Sequence, residues 1–319
     1  MTRTTPPRPV DIAAAFPALA PLARRAVRLH PRPGAPTVHD SSVGGPLLWP
    51  ADEPWPVCAG PHAEQDEGGD LPVSLGDVRR RRELWKAEPG PERNAALDAT
   101  YDGHPWSPGP NAMLPVVQLY ARDVPALPRP DGADLLQVLW CPLDHDPEWM
   151  PATRPVWRSS AAVDRPLAAP PEPADLSHYG QYLAEPCLLH PEEVTEYPAP
   201  LELDPALRQR IADHCEHAHP GLTRHSYQEE LSVAPGWKLG GWGPWSFRDP
   251  EPLGCADCGA AMLPLLTIAS GGVRDGNSWD PVEDTGPDRD LGVMIGRGYH
   301  LQLHRCPASF EHPHREVMQ

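Results

Sequence analysis

Apolar residues fall along this chain in short blocks rather than long helical runs, and several blocks occur twice in the same order. Met113-Leu114-Pro115-Val116-Val117-Gln118-Leu119 is matched by Met262-Leu263-Pro264-Leu265-Leu266-Thr267-Ile268. Leu136-Gln137-Val138-Leu139-Trp140-Cys141-Pro142 is matched by Leu301-Gln302-Leu303-His304-Arg305-Cys306-Pro307. Upstream, Val43-Gly44-Gly45-Pro46 and Trp55-Pro56-Val57-Cys58 answer to Leu239-Gly240-Gly241, Pro244-Trp245 and Cys255. Short apolar blocks bounded by Gly, Pro and Cys predict strands, and recurrence in a fixed order predicts a duplicated module. Leu263 to Ala269 reads as one strand, and Tyr299 to Arg305, with alternating large side chains, as another.

The two copies differ in spacing. Cys255 to Met262 is seven residues, whereas Cys58 to Met113 is fifty-five, so the first copy carries an insertion over 63–112. Within it, Ser74 is placed to cap a helix over 74–88 with Leu75, Val78, Arg82 and Trp85 at helical spacing. A second short helix is predicted from Glu92 to Tyr101, and Gly103 to Asn111 reads as loop. The boundaries that follow are a partly helical segment over 1–35, the first repeat over 36–150, a Pro-rich linker over 151–230 and the second repeat over 231–319. The linker holds one helix, capped by Asp204 with Pro205 in its first turn and Leu207, Ile211 and Cys215 on one face.

Composition narrows the class. Proline is 46 of 319 residues, about three times ordinary usage. Interior proline breaks helices, so a bundle or coiled coil is excluded. A formal charge of −17 argues against a nucleic-acid binder and against docking on anionic lipid. No run reaches the roughly eighteen apolar residues of a membrane helix. The best N-terminal apolar run, Ile12 to Leu22, follows Asp11 and contains Pro17 and Pro21, so no signal peptide is read and a cytoplasmic protein is expected. Seven cysteines in such a chain point to metal ligands or buried thiols rather than a disulfide framework.

The cysteines sit where strands begin and end. Cys255-Ala256-Asp257-Cys258-Gly259 is a knuckle whose turn aims two thiolates at one ion. If the strand after it pairs antiparallel with the strand ending at Cys306, that cysteine is returned to the knuckle. His312 is the best placed fourth ligand, with His314 and His304 as alternatives. A redox pair is the competing reading, weakened by the lack of a βαβ context. The same topology converges Cys58, His62, Cys141 and His145 in the first copy. Both sets would be closed, four-ligand zinc sites that clamp strand ends. The expected fold is therefore α+β, mostly β: an internally duplicated β module with zinc-ribbon-like strand ends and a helical insertion in the first copy.

Other constellations are weaker. Arg79 to Arg82 reads as the solvated face of a helix, and Cys187, His190, Cys215 and His219 as structural rather than a third site. No Gly-x-Ser-x-Gly or His-Glu-x-x-His motif is present, so no catalytic residue is assigned. Tryptophans in loops beside proline or glycine build core by default, but Trp55, Trp242 and Trp245 are candidates for a partner-binding surface.

The Ser-x-x-Gly-Gly-Pro block with its Trp-Pro, the Met113 to Leu119 strand and the closing strand with Cys-Pro resemble the YwqG-like family, an uncharacterised bacterial domain family. The second copy, with Gly240-Gly241, Pro244-Trp245, Cys255, Cys258, Met262 and Cys306, is similar to the programmed-cell-death-2 proteins, chaperones of a ribosomal protein. The resemblance covers 36–145 and 231–314 and implies a duplicated β architecture and a protein-binding role, chaperone-like or immunity-like. The helical insertion and the single cysteine of the last block depart from it. The resulting expectation is a zinc-stabilised module holding a basic protein client. The alternative is a metal-dependent enzyme whose cleft, between the repeats, is covered by 63–112; the reading leans away from an enzyme.

Overall fold

The computed structural model describes residues 3–65, 70–274 and 277–319. The expected insertion therefore includes four residues, 66–69, that lie outside the described ones. In chain order the elements are α1 (Ile12–Ala15), β1 (Arg24–Arg28), β2 (Arg32–Pro33), β3 (Ser42–Val43), β4 (Val57–Cys58), α2 (Leu75–Lys86), α3 (Pro91–Asp98), β5 (Asn111–Ala112) and β6 (Leu114–Tyr120). They continue with β7 (Leu135–His145), β8 (Met150–Arg158), β9 (Cys187–Leu188), β10 (Glu192–Glu196), α4 (Pro205–Ala218), β11 (Lys238–Gly240), β12 (Leu263–Ala269), β13 (His300–Arg305) and β14 (Arg315–Met318). One six-stranded sheet runs β2-β9-β3-β6-β7-β8, the other β10-β1-β11-β12-β13-β14, and β4 and β5 form a small third.

The two large sheets follow the same local course. In one, β3, β6, β7 and β8 pair antiparallel in sequence; in the other, β11, β12, β13 and β14 do. Leu114 opposes Trp140 as Leu263 opposes Arg305, and Gln118 opposes Gln137 as Thr267 opposes Gln302. Both β6–β7 and β12–β13 shift register just after the first proline of the strand, between Pro115 and Val117 and between Pro264 and Leu266. The Gly-Gly pairs follow from tight backbone turns after β3 and β11. Gly44 and Gly241 have positive φ, and a Cβ would strike Ala184 O at 2.6 Å in one and Glu196 Oε2 at 2.2 Å in the other.

One apolar core joins the sheets. Leu136, Val138 and Trp140 of β7 share a cluster with Leu266, Ile268, Leu301 and Leu303 of β12 and β13. Alternation holds along β13, where Leu301 and Leu303 point to this core and Gln302 to the other face. Strand β7 is buried on both faces, because Leu139 packs with Leu47, Trp49 and Met113 on the far side. The edge strands β8 and β14 touch, with Thr153 N donating to Glu316 Oε1 at 3.0 Å. Edge position also explains how β8 carries Pro151 and Pro155 without losing ladder bonds. The interval between the sheets is filled with side chains where these residues meet.

Several expectations need correction. The segment over 151–230 is not a plain linker: it opens as β8, and β9 and β10 join different sheets. The segment over 1–35 is helical only over α1 and a short 3-10 stretch, Pro17–Leu22, before β1 enters the second sheet. Both are hard to read in the sequence because β1 is Arg-Arg-Ala-Val-Arg, and Arg28 is buried by bonding Thr5 Oγ1 and the Trp279 carbonyl. Helix α2 begins as expected, with Ser74 and Asp77 in a reciprocal capping box. Its inward face differs: Leu75, Val78 and Arg81 are buried, while Trp85 is 60% exposed. The arginine run is solvated only over Arg79 and Arg80, which are exposed; Arg81 and Arg82 turn to the protein. Arg81 donates to Thr100 Oγ1, Thr100 O and His178 O, and Arg82 to Glu185. Helix α4 matches its expectation, with Asp204 Oδ1 accepting from Ala206 and Leu207 amides.

The second sheet also contains a fully buried ion pair. Lys238 Nζ donates to Glu196 Oε1 at 2.6 Å and to the Trp242 carbonyl at 2.8 Å, and Glu196 accepts from the Ala234 and Trp242 amides. Removing one partner strands a buried charge. Glu196→Ala should lose about 3–5 kcal/mol in urea unfolding, whereas Lys86→Ala, which breaks a surface pair, should leave the urea midpoint nearly unchanged. Equal small losses would contradict this packing.

Candidate metal centres

Antiparallel pairing fixes the geometry of both centres. Because Leu263 lies opposite Arg305, the residue preceding β12 and the residue following β13 lie side by side. The knuckle Cys255 to Cys258 leads into β12 and Cys306 follows β13, so the thiols meet. The ligand atoms of Cys255, Cys258, Cys306 and His312 all lie within 4.8 Å of one another. Cys258 Sγ is 3.5 Å from Cys306 Sγ, Cys306 Sγ is 3.3 Å from His312 Nδ1, and Cys255 Sγ is 3.5 Å from His312 Nδ1. The turn closes with Gly259 N on Cys255 O at 2.8 Å, and Gly259 takes a positive φ. Burial resists ionisation of Cys306, yet the amides of Ala308 and Ser309 and the His312 ring outweigh it and bring the thiol down to about 6.

The first group forms at the corresponding place. Cys58, His62, Cys141 and His145 also bring four ligand atoms within 4.8 Å of one another. Cys58 Sγ is 3.4 Å from His145 Nε2, and the His62 and His145 rings are 5.0 Å apart. The Cys141 thiol, with His145 and His62 behind it, draws the Cys58 thiol down to about 2 against the burial that opposes this. His62 is buried, and neither ring nitrogen finds a hydrogen-bond partner outside the quartet. The insertion loops out and returns through β5, whose Asn111 pairs with Cys58 just before β6 begins. The neighbouring backbone corresponds as well: Met113 N donates to Pro56 O, and Met262 N to Leu253 O. By that register Cys58 stands where Cys255 does, and Cys141 where Cys306 does.

Both donor sets suit a tetrahedral cation. Ligands at the usual zinc bond lengths stand about 3.5–3.8 Å apart along the edges of the tetrahedron, close to the separations above. One quartet offers three sulfurs and one nitrogen, the other two of each. Such closed sets leave no protein-determined open position, the arrangement of centres that hold structure rather than carry out chemistry.

The other cysteines and histidines stand elsewhere. Cys187 is buried in β9, where burial pushes its thiol up to about 12, and Cys215 packs in α4 against Ile211 and Tyr227. His304, one alternative ligand, lies buried on β13, and His314, the other, is hydrogen-bonded to Thr153 and Glu316. Of the tryptophans expected at a partner surface, Trp245 is buried, whereas Trp55 and Trp242 are half-buried. Trp55 packs at a tilt against Trp49 and donates to the Met113 carbonyl, Trp245 is only 8% exposed, and Trp242 donates to Leu22 O beneath the Arg24 guanidinium. Missed by sequence reading were the Ala308 and Ser309 amides that support Cys306; the Cys-Pro sequence, which starts a turn after a strand, is the signal that could have found them.

No family model and no curated protein matches the chain. Among the described residues, no helix is long and apolar enough to cross a membrane.

Cobalt(II) titrated into metal-free protein should develop intense thiolate-to-metal absorption that saturates at two equivalents, one for each quartet. Cys187→Ser should leave that endpoint unchanged. Saturation at one equivalent, or no thiolate absorption, would contradict the paired geometry.

Proposed function

We propose that this protein is a zinc-stabilised, internally duplicated member of the YwqG-like group that holds a basic protein client in the cytoplasm, in the manner of a chaperone or an immunity protein. The observation that carries the reading is the pair of closed Cys/His quartets at corresponding strand ends of two sheets with the same local course. Closed centres fix the ends of hairpins and leave the outer surfaces to do the binding. Zinc is the cation best matched to mixed thiolate and imidazole tetrahedra. The shared register, bulge and turn glycines of the two halves support descent from one doubled module. A net charge of −17 supports a cationic partner, because it speeds the encounter with a basic surface and disfavours nucleic acid.

Metal analysis of purified protein should find two zinc ions per chain, falling to one in Cys258→Ser and to one in Cys141→Ser. No zinc in any of the three would remove the reading. Affinity purification from the native host should enrich a basic protein whose retention weakens as salt rises. Recovery of no partner above background at both low and physiological salt would contradict client holding.

A further inference from the structure

The two halves differ sharply at one place, on the outer face of each sheet beside its metal quartet. In the first half this niche is full. Leu47, Trp49, Met113 and Leu139 pack there, and Trp55 completes the cluster, its ring centre 5.2 Å from that of Trp49 and its Nε1 donating to the Met113 carbonyl at 2.9 Å. The backbone register assigns each of these a counterpart. Met113 corresponds to Met262 and Pro56 to Leu253, through the matched amide-to-carbonyl bonds. Trp55 therefore corresponds to Pro252. Counting on from β3 and β11, Leu47 corresponds to Gly243 and Trp49 to Trp245; across the β12–β13 pairing, Leu139 corresponds to His304. Where the first half has a leucine and a tryptophan, the second has a glycine and a proline.

The result is a cavity of about 340 Å³ walled by Trp242, Trp245, Pro252, Leu253, Met262 and His304. His304 in its wall and Gln302 beneath its Gly243 carry polar atoms with nothing to bond. His304 is buried and its Nδ1 has no partner. Gln302 is only 1% exposed, and neither its Oε1 nor its Nε2 has a partner. Its amide lies directly under Gly243, where a Cβ would stand 3.1 Å from Oε1 and 3.2 Å from Nε2. The opposite number, Gln137, is fully occupied: it donates to the Leu48 carbonyl and to Gln118 Oε1, and accepts from Arg158 Nε. Native interiors rarely leave both ends of a buried amide unbonded. Glu202 and Glu251 stand at the rim, with Arg24 already laid over the Trp242 ring.

We infer that this cavity is a seat for a tryptophan side chain presented by the client, which takes the place that Trp55 occupies in the first half. The occupant's ring packs at a tilt against Trp245, as Trp55 packs against Trp49 at an interplanar angle of 58°. Its indole N–H meets the carbonyl of Met262, the counterpart of the Met113 carbonyl. Glu202 at the rim favours a basic residue beside that tryptophan, and Glu251 there is already paired with Arg315 at 3.7 Å. This inference rests on the client-holding reading and names the feature by which the client is gripped.

The test uses N-acetyl-tryptophanamide as the probe, with the zinc-loaded full chain carrying ¹³C-methyl methionine. Binding should shift the Met262 methyl resonance. N-acetyl-phenylalaninamide, which lacks the indole donor, should bind about fivefold to tenfold more weakly. Pro252→Trp supplies the missing ring from within; it should raise the thermal midpoint and weaken the probe by at least about tenfold. Gly243→Leu provides a second plug if Pro252→Trp folds poorly. No shift at Met262, equal binding by the plugged variants, or tighter binding of N-acetyl-argininamide would each overturn the seat. Failure of the probe in protein that holds both metals and still captures a client removes the seat alone. Capture of no client by protein that binds the probe removes the client reading instead.

Discussion

An antiparallel strand pair returns the chain to its starting point, and everything else in this structure depends on that return. The residue ahead of the first strand and the residue behind the second become neighbours whatever lies between them. In the second half the interval between knuckle and strand is a tight turn; in the first half it holds two helices and a loop. Both nevertheless bring four metal-binding atoms within the same 4.8 Å. The insertion is tolerated because it leaves the sheet after Cys58 and comes back beside it at Asn111. Long excursions between fixed ends cost little extra chain entropy.

The sheets depend on each other more than a tandem repeat would require. Strand β1 comes from the N-terminus and β10 from the middle of the chain, yet both lie in the sheet built mainly from the C-terminal quarter. The halves are interlaced, and their inner faces form one core. The outer faces of the sheets lie away from that core. There the two halves diverge: one is sealed by Leu47 and Trp55, whereas the other remains open over a buried and unsatisfied glutamine.

The strands at the centre of each sheet were legible because they are continuous apolar blocks ending at cysteine. The ligand sets were legible because metal chemistry restricts residue type and topology restricts place; His312 over His314 and His304 was a matter of reach, and His304 is committed to the β13 ladder. Strand β1 and the edge strands were not legible. They carry arginine, glutamate and proline, whose burial depends on distant partners such as Thr5, Trp279 and Lys238. Arg81 and Arg82 of α2 were misread for the same reason, since their acceptors are carbonyls some twenty to two hundred residues away in sequence. The tryptophans misled in the opposite direction. Proline and glycine neighbours suggested exposed loops, but Trp49, Trp237, Trp245 and Trp279 are buried, whereas Trp149 is exposed.

The central claim is that two unlike quartets hold metal in one chain, and X-ray absorption at the zinc edge tests it most directly. Five thiolate sulfurs and three imidazole nitrogens shared between two ions is the first shell that the account predicts, with no water-derived oxygen in it. Cys141→Ser should leave a spectrum of three sulfurs and one nitrogen. A shell of oxygen and nitrogen alone, or one that is unchanged in that variant, would contradict it.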